Sequence, residues 1–233
     1  MAVPVLLNTQ ARDEKFASLT YHIEGELVPV LQVEMQSMGV YFEHHVLFWK
    51  DPAVNIGIRP MKGAFKRAIA GMPIFMTEAT GPGRIAFSRD GVGHIFALHL
   101  NPNQSVDVRE HQFLAASSNV QYSFRRVQGA ANMLFSGTGF FIDTFAADHQ
   151  EGILWLHGYG NVFELELQAG EQIDVEPGGW IYKEMTINME TKMQKLSTGL
   201  FGSGGQLVWN RFTGPGRIGL QSMYQPFMPE PGV

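Results

Sequence analysis

The chain has 233 residues and no cysteine, which excludes a disulfide framework, zinc–thiolate and iron–sulfur sites and thiol nucleophiles together. Its 17 Lys and Arg against 22 Asp and Glu give a formal charge of −5, the wrong sign for a protein whose whole surface tracks phosphate. A hydrophobic content of 45% supplies one sizeable core without help from metal or disulfides.

Residues 2–7 form a short apolar run with no positive stretch before it, a poor export signal. Nowhere do about 18 apolar residues follow one another without a charge or a Gly or Pro cluster, so no spanning helix is expected. With the absence of cysteine, this points to a cytoplasmic protein, at most peripheral to a membrane.

The first predicted hairpin places Leu31, Val33 and Met35 in alternation with Gln32 and Glu34, then a turn at 37–39 and a return over 40–42. Residues 61–71 (MKGAFKRAIAG) predict the one short helix, apolar at Ala64, Phe65, Ala68 and Ile69 and stopped by Gly71 and Pro73. Arg59, Lys62, Lys66 and Arg67 form a basic cluster there, a candidate contact for an anionic surface weighed against a solvated helix face.

Farther along, GVGHIFALHLNPNQSVDVREHQFLAA from Gly91 lies without a gap over GYGNVFELELQAGEQIDVEPGGWIYK from Gly158, an offset of 67 residues. Phe96, Leu98 and Leu100 repeat as Phe163, Leu165 and Leu167, the period of a strand with one buried face. The glycines Gly91, Gly93, Gly158 and Gly160 mark a turn or a close backbone approach. Asp107 recurs as Asp174, which argues against a catalytic acid pair and for a carboxylate facing water from a strand. The string TGPGRI at 80–85 returns at 213–218, a doubled offset of 133, with a weaker middle version near Phe141.

These copies predict an all-β chain of three antiparallel, sandwich-like units over about 16–60, 72–133 and 134–195. They are out of phase by one half, with the strand over 205–222 closing onto the first unit and removing two sheet edges. The glycine-rich 196–205 reads as a loop and the proline-rich 225–233 as an extended end.

Chemical motifs are weak. His94 and His99 are separated by an odd number of residues and point to opposite faces of a strand; adjacent His44 and His45 fail as co-ligands for the same reason. No His-x-His occurs, and no metal or cofactor is expected. Gly81-Pro82-Gly83 and Gly214-Pro215-Gly216, each followed by an arginine (Arg84, Arg217), lack the lysine and hydroxyl of a phosphate loop and read as tight turns. The string around Ser203 has no strand before it and is no nucleophile elbow.

The stretch MKGAFKRAIAGMPIFMTEATGPG from Met61, with GNVFELELQAGEQIDVEPGGWIYKE and GLFGSGGQLVWNRFTGPGRIGLQS, resembles the altered-inheritance-of-mitochondria, or mitochondrial biogenesis, family with its many bacterial members. The resemblance spans roughly 16–222. It implies a β fold similar to that of the tryptophan RNA-binding attenuation protein; a double-stranded β-helix is the alternative arrangement of the three units. It links eukaryotic relatives with mitochondrial inner-membrane organisation, and implies no settled activity for bacterial ones. No segment matches the attenuation protein's RNA-contacting pattern, so RNA binding does not carry over. The first thirty residues hold Arg12 and Lys15 against Asp13, Glu14, Glu24 and Glu26, which is no mitochondrial presequence.

Three functions remain open. The preferred reading is a non-catalytic binding or scaffold protein that forms homo-oligomers and takes an unidentified protein or small-molecule partner. The second is an enzyme with an inter-subunit site drawn from His99, His111, Asp107 or His157. The third is peripheral membrane or nucleic-acid association through Arg59, Lys62, Lys66 and Arg67.

Overall fold

The computed structural model of the chain describes residues 2–60, 75–127, 140–195 and 206–223. The predicted helix at 61–71 lies outside them; among the described residues the helical structure is one 3-10 turn, His44–Val46.

A short strand, β1 (Val5–Leu6), and a hairpin of β2 (Ala11–Phe16) and β3 (Leu19–Glu24) precede three units of six strands each. The first unit is β4 (Val30–Met35), β5 (Val40–Phe42), β6 (Leu47–Lys50), β7 (Asn55–Pro60), β8 (Phe75–Thr80) and β9 (Gly83–Ser88). The second is β10 (Gly93–Leu100), β11 (Ser105–Arg109), β12 (Phe113–Ser117), β13 (Val120–Val127), β14 (Phe140–Ala147) and β15 (Gly152–Tyr159). The third is β16 (Val162–Leu167), β17 (Gln172–Val175), β18 (Trp180–Glu184), β19 (Asn188–Lys195), β20 (Gln206–Thr213) and β21 (Gly216–Gln221).

Pairing is antiparallel and identical in plan in every unit: the sixth strand lies between the first and third, and the fifth between the second and fourth. The three units are therefore in phase. The expected hairpins are corrected: the first and second strands of a unit do not pair with each other but enter different sheets, β4 beside β9 and β5 beside β8, β10 beside β15 and β11 beside β14, β16 beside β21 and β17 beside β20. The expected closure of 205–222 onto the first unit is corrected on the same ground. Both edges of β21 are occupied within its own unit, by β16 on one side and β18 on the other. It is β1 that reaches across the chain, pairing with β16 through Val5 and Leu6.

Units join edge to edge. Strand β12 pairs with β5, and β18 pairs with β11, producing a six-stranded and a seven-stranded sheet that each draw on two units. The five-stranded sheet β2-β3-β4-β9-β6 and the three-stranded sheet β17-β20-β19 complete the fold.

Period-two patterning explains the core. Leu31, Val33 and Met35 are buried on β4 while the residues between them are not, as are Leu165 and Leu167 on β16. Each such aliphatic side chain contributes about 1.5–3 kcal/mol of transfer free energy. Three apolar clusters result, and each crosses a unit boundary: Trp155 and Leu114 pack with Tyr21, Leu31 and Phe87, Tyr41 with Phe113 and Phe145, and Ile142 with Trp180 and Phe212.

The glycine pairs expected at turns or close approaches do both. Gly160 holds a φ of +68°, and Gly93 in β10 lies so close to β15 that an added Cβ would overlap the Gly158 carbonyl and come within 2.9 Å of the His157 ring. Backbone cannot yield as a side chain does. Gly93→Ala is expected to cost about 1–3 kcal/mol as an overpacked core change, read as a lower urea midpoint with an unchanged slope. An unaltered midpoint would show that β10 and β15 separate without penalty.

Candidate functional site

The unit junctions carry the most organised polar chemistry. Asp107 on β11 stands opposite Lys183 on β18, and the two form an ion pair of 3.0 Å with side chains 0% and 5% exposed. Asp107 also accepts a hydrogen bond from the Thr144 hydroxyl (2.8 Å), and Lys183 donates to the Ile187 carbonyl (3.1 Å). The expectation that Asp107 faces water is thus corrected: β18 covers that edge of β11 and brings a lysine to neutralise the carboxylate. Asp174, its repeat partner, is held by both guanidinium arms of Arg211 at 2.7 Å on strand β20, and its side chain stays 35% exposed.

The two Gly-Pro-Gly-Arg turns are also explained. Asp51 accepts from the Arg84 backbone N–H (3.0 Å) and Nε (3.1 Å), and Glu184 accepts from the same two groups of Arg217 (3.0 and 2.8 Å). The neighbouring guanidinium holds the Asp51 carboxyl below the usual range, through its hydrogen bonds first. In the middle unit, Ser117 takes the matching place, its hydroxyl accepting from Ile153 N–H at 3.2 Å. One carboxylate or hydroxyl per unit therefore fixes the start of the sixth strand, a structural duty that leaves neither arginine poised for an anion. Beside the second of these turns, Glu164 takes the Tyr182 hydroxyl and pairs with Arg217.

A second polar cluster gathers where β9, β11 and β15 end. Buried Arg89 donates to the Phe113 carbonyl (3.1 Å) and to Glu43 (3.4 Å), which also pairs with His45 (3.4 Å). His157, 1% exposed, receives there a pKa lowered to about 4, first by burial and then by the charge of Arg89. Burial and the same arginine lower that of His111, which sits at a positive φ of 67°. Of the four residues considered for an inter-subunit site, His111 and His157 thus share the field of Arg89. Asp107 is committed to Lys183, and His99 lies against the Phe16 ring, 5.8 Å between centroids. Strand β10 pairs with β15 in unbroken register from Gly93 to Leu100, which sets His94 and His99 on opposite faces as expected. Among the described residues, no group of three or more His, Asp or Glu stands close enough together to hold a metal ion.

Arg59, expected as one contact of an anionic surface, donates to the carbonyls of Ser118 (2.9 Å) and Val120 (3.2 Å), pairs with Glu78 and lies 4.2 Å over the Tyr41 ring. It ties the first unit to the second. Lys62, Lys66 and Arg67 lie outside the described residues, as do Ser203 and the segments 196–205 and 225–233.

Of the second and third strands, through which the units join, two have no neighbour on their outer edge among the described residues. Strand β6 is the last strand of the five-stranded sheet and β17 the last of the three-stranded one. Phe48 on β6 is 64% exposed, and beside β17 a hollow of about 330 Å³ is lined by Ala2, Leu167, Glu171, Gln172 and Ile173. Lys183, Lys50, Arg89 and Glu43 carry these arrangements and were not singled out in the sequence. A signal for the lysines existed: FWKD at 48–51 and IYKE at 181–184 repeat at the offset of 133 already seen for TGPGRI.

A family model described as Mitochondrial biogenesis AIM24 matches residues 21–223. An uncharacterised protein of Streptococcus pyogenes serotype M6 is 26% identical over 213 residues, covering 84% of this chain and 82% of its own length. The X-ray crystal structure of a Streptococcus pyogenes protein superposes with a TM-score of 0.68 at 19% identity, over 88% of this chain and 94% of that one, and shows the same fold. No helix among the described residues is long and apolar enough to cross a membrane.

Proposed function

The chain belongs to the mitochondrial biogenesis AIM24 family, and from that premise we propose that it is a non-catalytic binding or scaffold protein that assembles with copies of itself. One observation carries the reading: units in this fold join by pairing a third strand with a second strand, at β12–β5 and β18–β11, yet among the described residues the third strand β6 and the second strand β17 are sheet edges. Exposed edges are templates for further pairing unless they are blocked. The polar side chains that stand out supply support rather than reactivity. Asp51 and Glu184 fix strands, Lys183 neutralises Asp107, and Arg59 bridges two units. The cysteine-free composition supports a reducing compartment, the cytoplasm, as the setting.

Native mass spectrometry and light scattering on the purified chain, followed over serial dilution from micromolar concentration, test the proposal. Masses at multiples of the single chain are expected. A bare monomer across the whole series would remove it.

A further inference from the structure

We propose that β6 of one copy pairs with β17 of a second copy, antiparallel and head to tail, with Trp49 opposite Val175 and Lys50 opposite Asp174. This rests on the assembly reading above and names the surface and register that would perform it.

The register follows from the equivalence of the three units. Each third strand pairs with its sixth strand through the same irregularity. Leu47 and Trp49 lie opposite Phe87 and Ala86, Phe113 and Ala115 opposite Leu156 and Trp155, and Trp180 and Tyr182 opposite Leu220 and Gly219. Trp49, Ala115 and Tyr182 are therefore one position, and Lys50, Ala116 and Lys183 the next. The second strands match as well, since Tyr41, Asp107 and Asp174 stand opposite Glu78, Thr144 and Arg211 of their fifth strands.

Both junctions inside the chain use one register. Ala115 and Ala116 face Phe42 and Tyr41; Tyr182 and Lys183 face Val108 and Asp107. Applied to the two strands that remain, the rule sets Trp49 against Val175 and Lys50 against Asp174.

Charge and burial agree with that register. Lys50 and Asp174 would repeat the Lys183–Asp107 pair, with the same signs on the same strands. Within the single chain Lys50 reaches the Asp51 carbonyl at 3.3 Å, and Asp174 keeps a third of its side-chain surface open beside Arg211. At the junctions already made, Val106, Val108, Ala115 and Ala116 are all 0% exposed, whereas Ile173, Val175 and Trp49 are half-buried. A partner strand would complete their burial. Because the two edges differ, the contact is heterologous, and repeating it generates a ring or a filament rather than a twofold dimer.

The lack of native cysteine makes disulfide trapping clean. Lys50→Cys and Asp174→Cys chains, each verified as folded by circular dichroism, are mixed under mild oxidation. The mixture is expected to shift to twice the monomer mass on non-reducing gels while each chain alone does not; a chain carrying both substitutions is expected to give a ladder. Trp49→Cys with Val175→Cys repeats the test while leaving the Asp174–Arg211 pair intact.

Oligomers in native mass spectra without trapping by either pair would overturn this register and leave the assembly reading standing. A monomer in native spectra removes both. A doubly substituted chain that closes on itself at monomer mass would overturn the second copy as occupant, and single variants that dimerise as readily as the mixture would overturn the head-to-tail arrangement.

Discussion

Lys183→Met is expected to destabilise the protein by about 3–5 kcal/mol, the cost of stranding a buried charge. Asp107 has no exposed surface, and the substitution strips away its counter-charge while leaving the Thr144 hydroxyl in place. It also removes the donor to the Ile187 carbonyl. The side chain that replaces it is of similar length and apolar, so packing is preserved and the loss reports electrostatics. The double variant Asp107→Val with Lys183→Met is expected to recover most of the loss, because replacing both members of a buried pair with apolar residues is often neutral or stabilising. The flanking residues Val106, Val108 and Tyr182 are fully buried and suit that exchange. Urea unfolding followed by the fluorescence of the buried Trp155 and Trp180 reads both variants. A single variant within about 1 kcal/mol of the parent would mean that the pair does not hold β11 against β18, and the template for the Lys50–Asp174 contact would lose its energetic basis.

Architecture was written in the sequence more openly than connection was. Alternation at Phe96, Leu98 and Leu100 and at their repeats revealed strands, a buried face and a repeating unit, because side-chain period reports local geometry directly. The phase of the repeat was misjudged because similarity between copies does not say which halves are partners. Partnership is decided by which edges a strand can satisfy, and β21 satisfies both of its own within one unit. Asp107 was misread for a related reason. A carboxylate flanked by valines is indistinguishable from a solvated one until the strand beside it is known. The strand that decides, β18, arrives more than 70 residues later with Lys183. Likewise, the Gly-Pro-Gly strings before Arg84 and Arg217 read as tight turns from the sequence, while the partners of those arginines, Asp51 and Glu184, come earlier in the chain and are found only through the FWKD and IYKE match. Long-range polar pairs are legible in one sequence only when a repeat displays both members twice.

Between about pH 7 and pH 5 the protein is expected to lose roughly 2 kcal/mol of stability through His157 alone. In the folded chain its pKa is lowered from 6.5 to about 4, first by burial and then by the charge of Arg89, with His94 acting in the same direction and Asp90 and a Gly91 backbone contact opposing. A depressed folded value means that the unfolded chain binds the extra proton in this interval. Stability is then fully present above pH 6.5, falls as pH drops, and stops changing on this group's account below about 4. The carboxylates held low by their arginines, Asp51 and Asp174, have ordinary values of 3.8, so their losses come at lower pH and do not confuse the interval. His111, lowered by burial and by the same arginine, adds to the slope with the same sign. Replacing His157 with Leu removes one titrating group from a site of the same polarity as its apolar neighbours on β15. The variant is expected to show a shallower dependence of urea midpoint on pH across this interval, whatever its stability at neutral pH. Parallel slopes in parent and variant would mean that His157 takes its proton without leaving the fold, and that the end of β15 opens to water far more readily than its burial implies.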